Sequence, residues 1–323
     1  MQERSRKIWS NALRILLSLG TLALLLVTVG WREILEVLAQ ADWPPLLLAG
    51  GLFFLGVVVR TLRWQALLMG LGLQLPLRRL LRLYLVGGFF NVFLPTGFGG
   101  DVVRVVELAQ GADRTAAAGT VFVDRLTGIL SLMAMGLIVL PFTPRLEPWL
   151  IVTVILICGS GLLGGFLLLE GRWIRRLTRR LPHSLSLAGE GALARLYASV
   201  TGAGRSALWQ ALALSTLFNL LNVMVYWLCG RAVGIEVGPA FYFVVVPLLS
   251  LTLLAPISVG GLGVRDWVAQ PLFASVNIAA RQAAGMTLAA YAVTAVVGLI
   301  GGVLYLGAVV RDLAGRRATD RAA

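Results

Sequence analysis

The sequence predicts an all-α polytopic membrane protein, with about six full transmembrane helices plus two re-entrant helical hairpins in an inverted repeat. Three observations predict it. First, the chain is 58% hydrophobic and 13% charged, with a mean hydropathy of +0.87, which is more apolar surface than a soluble domain of 323 residues can bury. Second, residues 13–31, 43–59, 126–142, 149–169, 206–228 and 283–310 contain no acidic or basic side chain except Arg14. Each stretch is about long enough to cross a hydrocarbon core of roughly 30 Å as a helix. Third, a ten-residue pattern occurs twice: Pro95-Thr96-Gly97-Phe98-Gly99-Gly100-Asp101-Val102-Val103-Arg104 and Pro256-Ile257-Ser258-Val259-Gly260-Gly261-Leu262-Gly263-Val264-Arg265. Proline, the glycine pair and arginine fall at the same offsets. Helix breakers at matching places in two halves of a membrane chain point to a binding site near mid-depth, built from broken helices.

Taken in order, the first span carries Arg14 near its end, where a long side chain snorkels to the interface. Arg32, Glu33 and Glu36 separate its apolar core from Ala39-Gln40-Ala41, so a retained helix is expected rather than a cleaved signal peptide. After the second span, residues 83–100 are uncharged but broken by Gly87-Gly88, Asn91, Pro95 and Gly97, Gly99 and Gly100. Irregular backbone at membrane depth survives only where protein or a wet cavity satisfies its polar groups. This stretch reads as a hairpin returning through residues 102–110. Residues 241–264, broken by Pro247, Pro256 and Gly260, Gly261 and Gly263, read as a second hairpin returning through 264–274. A weaker echo precedes each: Gly72-Leu73-Gln74-Leu75-Pro76 and Gly234-Ile235-Glu236-Val237-Gly238.

Between the fourth and fifth spans, residues 170–205 form the one sizeable polar stretch. Trp173, Ile174, Leu177 and Leu181 recur on one helical face there, with five arginines opposite. That pattern fits a helix on an anionic leaflet, or an ordinary basic loop. The single domain thus divides into a first half (10–169), the basic loop (170–205), a second half (206–311) and a disordered tail (312–323).

The net charge of +13 follows the same topology. Arg4, Arg6 and Lys7, then Arg60, Arg63, Arg78, Arg79 and Arg82, then Arg172, Arg175, Arg176, Arg179 and Arg180, then Arg311, Arg316, Arg317 and Arg321 form clusters between spans. They alternate with the cation-poor loops 32–42, 141–148 and 230–239. This is the positive-inside pattern, with both termini cytoplasmic, and it argues against a nucleic-acid partner. Cys158 and Cys229 lie inside apolar runs and His183 is the only histidine, so no disulfide framework, metal set, cofactor or Ser-His-Asp triad is expected.

Ionisable groups at membrane depth cost about 2.5–3.5 kcal/mol each on insertion scales, so each needs a reason. Asp101, Arg104 and Glu107 follow the first glycine pair, with Asp101 placed to cap a helix and Arg104 one turn on. Gly99 and Gly100 let backbone approach an anion that Arg104 binds bidentately. The alternative is that Asp101 and Arg104 pair with each other or with Asp124 and Arg125. Arg265 matches Arg104 behind Gly260 and Gly261, with Leu262 in place of the acid and Asp266 adjacent. Arg104, Arg125 and Arg265, with Asn91, are the expected head-group contacts, and Asp101, Glu107, Asp124 and Asp266 the expected coupling or orienting acids. Asn91, Asn219 and Asn222 also read as interhelical glue, and Trp43, Trp149 and Trp209 as interface anchors.

At these residues the chain resembles a known family. Asn91-x-x-x-Pro95, Gly99-Gly100-Asp101-x-x-Arg104, Asp124-Arg125 and Pro256-x-Ser258-x-Gly260-Gly261-x-Gly263-x-Arg265-Asp266 look like the transmembrane domain of lysylphosphatidylglycerol synthases and their stand-alone, flippase-like relatives. The resemblance runs from the first span to Arg311. It implies a protein of a bacterial or archaeal plasma membrane that moves phospholipids, aminoacyl-phospholipids or polyprenyl-phosphate glycolipids between leaflets. Its partners are then anionic or phosphate-containing lipids, together with a second copy of the chain or a lipid-modifying enzyme. The fused members' aminoacyl-transferase domain has no counterpart in these residues, so lysyl transfer is not expected and the protein is read as a non-enzyme. The rival readings are a membrane enzyme acting on lipid-linked substrates and an accessory subunit with structural ion pairs. Against the enzyme, Glu33, Glu36, Asp42, Glu147 and Glu236 form no compact pair.

Overall fold

Apolar runs without charges become helices in the computed structural model, which describes residues 31–93, 99–109, 114–143, 146–170, 202, 204–252 and 263–322. The elements are α1 (Trp31–Ala39), α2 (Trp43–Gly70), α3 (Leu77–Phe93), α4 (Gly99–Leu108), α5 (Arg114–Val139, with a 3-10 turn Leu140–Phe142), α6 (Pro148–Glu170), α7 (Gly204–Ala232), α8 (Pro239–Leu251), α9 (Val264–Ala274) and α10 (Ala280–Ala322). Five stretches among them are long and apolar enough to cross a membrane: Trp43–Gly70, Ala117–Phe142, Pro148–Leu168, Gly204–Ala232 and Ala280–Ala308. They match five of the six expected spans, and the sixth, residues 13–31 with Arg14, lies outside the described residues. So do the glycine pair Gly260 and Gly261, both prolines of the repeated pattern, and nearly all of the basic loop. The protein is an all-helical, polytopic integral membrane protein.

Helix ends explain the element order. The residue after α2 is Leu71. Gly72 follows at φ +77°, a left-handed conformation that glycine adopts without strain. Leu73 N–H then bonds the Leu68 carbonyl (2.9 Å) and Gly72 N–H the Met69 carbonyl (3.0 Å), a Schellman stop. The same stop ends α7: Gly234 sits at φ +76°, Ile235 N–H bonds the Gly230 carbonyl (2.9 Å) and Gly234 N–H the Arg231 carbonyl (3.1 Å). The echo between residues 72–76 and 234–238 is therefore a shared helix stop. After each stop come two short helices and a long one: α3, α4, α5 in one half and α8, α9, α10 in the other.

Boundaries differ from expectation at three places, one being the third span, which begins at Arg114 and not at residue 126. The second span does not end at residue 59; α2 continues to Gly70, so Arg60 and Arg63 belong to the bundle and not to a basic loop. The chain tolerates this because Arg63 finds a buried carboxylate and Arg60 lies against aromatic rings and a cavity. Arg78, Arg79 and Arg82 remain exposed. The tail expected to be disordered is helical as far as Ala322, since residues 312–322 contain no proline and are mostly good helix formers.

The larger core joins α7, α8, α9 and α10, where Tyr226, Tyr242, Leu249, Phe273 and Met286 are buried. A second core surrounds Trp64, Leu68, Leu80 and Tyr84 and closes with Val297 of α10. Outward faces are apolar: Ile155, Leu156, Leu163 and Phe166 on α6, and Val296, Leu299 and Val303 on α10. That is the inverse of a soluble protein and suits a lipid solvent. Trp43, Trp149 and Trp209 are exposed near span ends, in keeping with interface anchoring.

Candidate functional site

Three short-range spacings converge on one spot. Arg60, Arg63 and Trp64 share one face of α2, at offsets of three and four residues. Tyr84, Gly87, Gly88 and Asn91 share a face of α3 by the same rule. α4 brings Asp101 and Arg104, and α5 brings Thr120, Asp124 and Arg125.

Asp124 is the hub and has no exposed surface. Its Oδ1 accepts from Arg63 Nε (2.7 Å) and its Oδ2 from Arg104 Nη2 (3.0 Å) and the Tyr84 hydroxyl. Arg63 Nη1 donates onward to Ser215 Oγ on α7 (3.0 Å). Arg104 Nη1 also reaches Asp101 Oδ1 (3.4 Å), and Arg125 Nε pairs with Asp101 Oδ2. The Arg104 guanidinium lies 4.1 Å from the Trp64 ring centroid and 4.0 Å from that of Tyr84. Those two rings meet edge-to-face, and Trp64 Nε1 donates to Thr120 Oγ1 (3.2 Å). One carboxylate, two guanidiniums and two aromatic rings thus tie α2, α3, α4 and α5 together below the surface.

The short helices meet through bare backbone. A Cβ on Gly100 would overlap the Gly87 carbonyl, and one on Gly301 of α10 would overlap the Leu85 carbonyl. Across the break between α3 and α4, Asn91 Oδ1 accepts from Gly100 N–H (2.8 Å). The amide satisfies a first-turn donor of α4 that has no partner within its own helix.

A cavity of about 50 Å³ opens beside this cluster. Arg60, Tyr84, Asn91, Asp101, Arg104 and Thr294 supply its polar lining, and Phe53, Val57, Leu85, Val297 and the glycines 87, 88 and 298 the rest. A space of that order takes a few waters or one small tetrahedral oxyanion. Arg60 stands 5.2 Å from the Tyr84 ring centroid and 5.1 Å from that of Phe218. Its Nε has no hydrogen-bond partner, and no carboxylate among the described residues forms an ion pair with it.

The expected residues divide cleanly. Arg104, Asp101, Asp124, Arg125, Asn91, Gly99 and Gly100 come together around α4. The ion-pair alternative describes Arg104 and Arg125, which both hold protein carboxylates. Asp101 sits within the first turn of α4 and pairs with arginines rather than serving as the residue that precedes the helix. Asn91 is a bridge between helices, as is Asn219, whose Nδ2 donates to the Gly128 carbonyl (2.9 Å). Glu107 is partly buried on α4 and does not line the cavity.

Arg265 lies elsewhere. Its Nη1 donates to the Tyr226 hydroxyl (3.2 Å) and its Nη2 to the Thr287 carbonyl (2.9 Å), fastening α9 to α7 and α10. Asp266 is fully buried and its Oδ2 accepts from Gly263 N–H (2.9 Å), capping its own helix. Among the described residues, Arg265 shares neither the cavity nor a hydrogen bond with Arg104. Arg60, Arg63, Trp64 and Tyr84 were absent from the expected site because a charge after an uncharged run reads as the end of a span. The helix stop at Gly72 was the signal that α2 runs on past both arginines.

No curated protein matches the chain. The model of the lysylphosphatidylglycerol synthase TM region matches residues 11–302, which include every residue of the buried ion cluster; the chain belongs to that family.

Proposed function

We propose that the protein is a non-enzymatic lipid transporter that moves a phosphate-containing lipid between leaflets. One observation carries the reading. A cation-rich cavity lies between helices of membrane length, in a chain whose family name ties it to lipid metabolism. Cations at that depth are expensive and mark ion or substrate pathways. The head group enters beside Asn91, Asp101 and Arg104 while its apolar tails stay in lipid against α10. Phospholipid, aminoacyl-phospholipid and polyprenyl-phosphate glycolipid share the phosphate this chemistry recognises. The repeated succession of helix stop, two short helices and a long helix supports an inverted repeat, with α3–α4 and α8–α9 as re-entrant hairpins and both termini on the cytoplasmic side of the plasma membrane. Nothing in the sequence resembles a nucleotide-binding loop, which favours passive or gradient-driven movement.

The closed ion pairs of Arg104 and Arg125 favour a second reading, a non-transporting subunit that accompanies a lipid-modifying enzyme. Reconstitution separates the two. Vesicles containing the protein and a fluorescent phosphatidylglycerol, treated with a membrane-impermeant quencher, lose nearly all of their signal if the lipid crosses leaflets. They stop near half if it does not, and that result removes the transport reading.

A further inference from the structure

We infer that Arg60 is the residue that grips the phosphate oxyanion, and that Arg63 and Arg104 hold the wall on which it is mounted. The inference deepens the proposed function and rests on reading the cavity as a head-group chamber.

Four guanidiniums, those of Arg60, Arg63, Arg104 and Arg125, meet two carboxylates where α2 to α5 converge. Both carboxylates are already shared: Asp124 holds Arg63 and Arg104, and Asp101 holds Arg104 and Arg125. Among the described residues Arg60 has ring faces alone, and its Nε is buried without an acceptor. A guanidinium packed inside the bundle with no counter-anion among the described residues is the costly case, and an anion arriving from outside the chain relieves it.

Arg104 is already committed: its two terminal nitrogens bond to Asp124 and Asp101 and its flanks lie against Trp64 and Tyr84, so that only its Nε lacks an acceptor. Arg63 spends its donors on Asp124 and Ser215. Arg60 lines the cavity with no such commitment, and its planar fork matches two oxygens of a phosphate at once. The nearest acid on the cavity wall, Asp101, is neutralised by its own arginines and does not repel the ligand. The phosphate belongs either to a lipid phosphodiester or to free inorganic phosphate, and the two are told apart by the tails.

The test uses the full-length chain in mild detergent, as wild type, Arg60→Gln, Arg60→Lys and Arg104→Gln. The probes are dioctanoyl-phosphatidylglycerol, dioctanoylglycerol with the same tails and no phosphate, and inorganic phosphate. The expected result is at least tenfold weaker phosphatidylglycerol binding in Arg60→Gln, a smaller loss in Arg60→Lys, and unchanged dioctanoylglycerol binding. Both Arg60 variants keep the wild-type melting temperature, whereas Arg104→Gln lowers it. Inorganic phosphate that binds as tightly as the lipid, and through Arg60, identifies a free anion as the ligand; phosphatidylglycerol alone identifies a lipid. Phosphatidylglycerol binding in Arg60→Gln within twofold of wild type overturns the inference. So does a melting-temperature loss in both Arg60 variants equal to that of Arg104→Gln, which makes Arg60 part of the frame. Failure of the transport reading looks different: Arg60-dependent binding with no leaflet movement by the wild type removes transport and keeps the anion grip. Undiminished movement by Arg60→Gln does the reverse.

Discussion

Replacing Asp124 by asparagine is the sharpest single perturbation of the ion cluster. The carboxylate has no exposed surface and accepts from Arg63 Nε, Arg104 Nη2 and the Tyr84 hydroxyl. An amide of the same shape keeps one carbonyl oxygen, so it serves one side of the cluster. Its NH2 group turns a donor toward the guanidinium on the other side. One charge-assisted bond is lost, Arg63 loses its counter-charge and Arg104 keeps only Asp101. Breaking a buried pair in this way costs about 3–5 kcal/mol. Reversible unfolding in mixed micelles, titrated with dodecyl sulfate, measures the difference. Adding Arg63→Gln to Asp124→Asn removes the orphaned cation and restores part of the loss, with a coupling of at least about 1 kcal/mol. An Asp124→Asn protein within about 1 kcal/mol of wild type refutes the hub, because a carboxylate that joins four helices cannot be lost that cheaply.

Three further outcomes follow from the same geometry. Gly100→Ala and Gly301→Ala each drive a methyl into a backbone carbonyl, so both lower the melting temperature sharply, while Gly164→Ala, which meets nothing within 4 Å, is neutral or stabilises by up to about 1 kcal/mol. Asn91→Ala strips Gly100 N–H of its acceptor and costs about 1–2 kcal/mol; a variant as stable as wild type shows that the amide does not bridge the break. Arg265→Lys cannot reach the Tyr226 hydroxyl and the Thr287 carbonyl together and loses about 2 kcal/mol in the same titration, with Arg265→Gln no better.

The long helices were legible because hydropathy is a summed property: uncharged runs of 17 or more residues leave a chain in lipid no alternative to a helix. The glycine stops at Gly72 and Gly234 were legible as an echo, although their shared geometry emerges only from backbone angles. The partners of Arg104 were legible as one of two alternatives, since few acids share that depth. Arg60 and Arg63 were not, because charge content marks span ends statistically and carries no record of a carboxylate 61 residues away in sequence, as Asp124 is from Arg63. Convergence of Arg104 with Arg265 was inferred from symmetry alone. Among the described residues the two arginines bond to separate partners, since the first half supplies Asp124 and the second a hydroxyl and a carbonyl.

The backbone contacts of α3 have a consequence for how the cavity can be altered. One of its walls is main chain pressed on main chain, with α4 against Gly87 and α10 against Leu85, and no side chain lies between them to shorten or lengthen. Such a wall admits no graded adjustment: it is either kept or pushed apart. The part of the lining on α2 carries Phe53, Val57 and Arg60, all of which can be exchanged for residues of another size or charge. Under the proposed function, retuning the chamber for a bulkier or differently charged head group falls to its side-chain-bearing faces, α2 together with Thr294 and Val297 of α10, and a mutational library aimed at ligand preference belongs there.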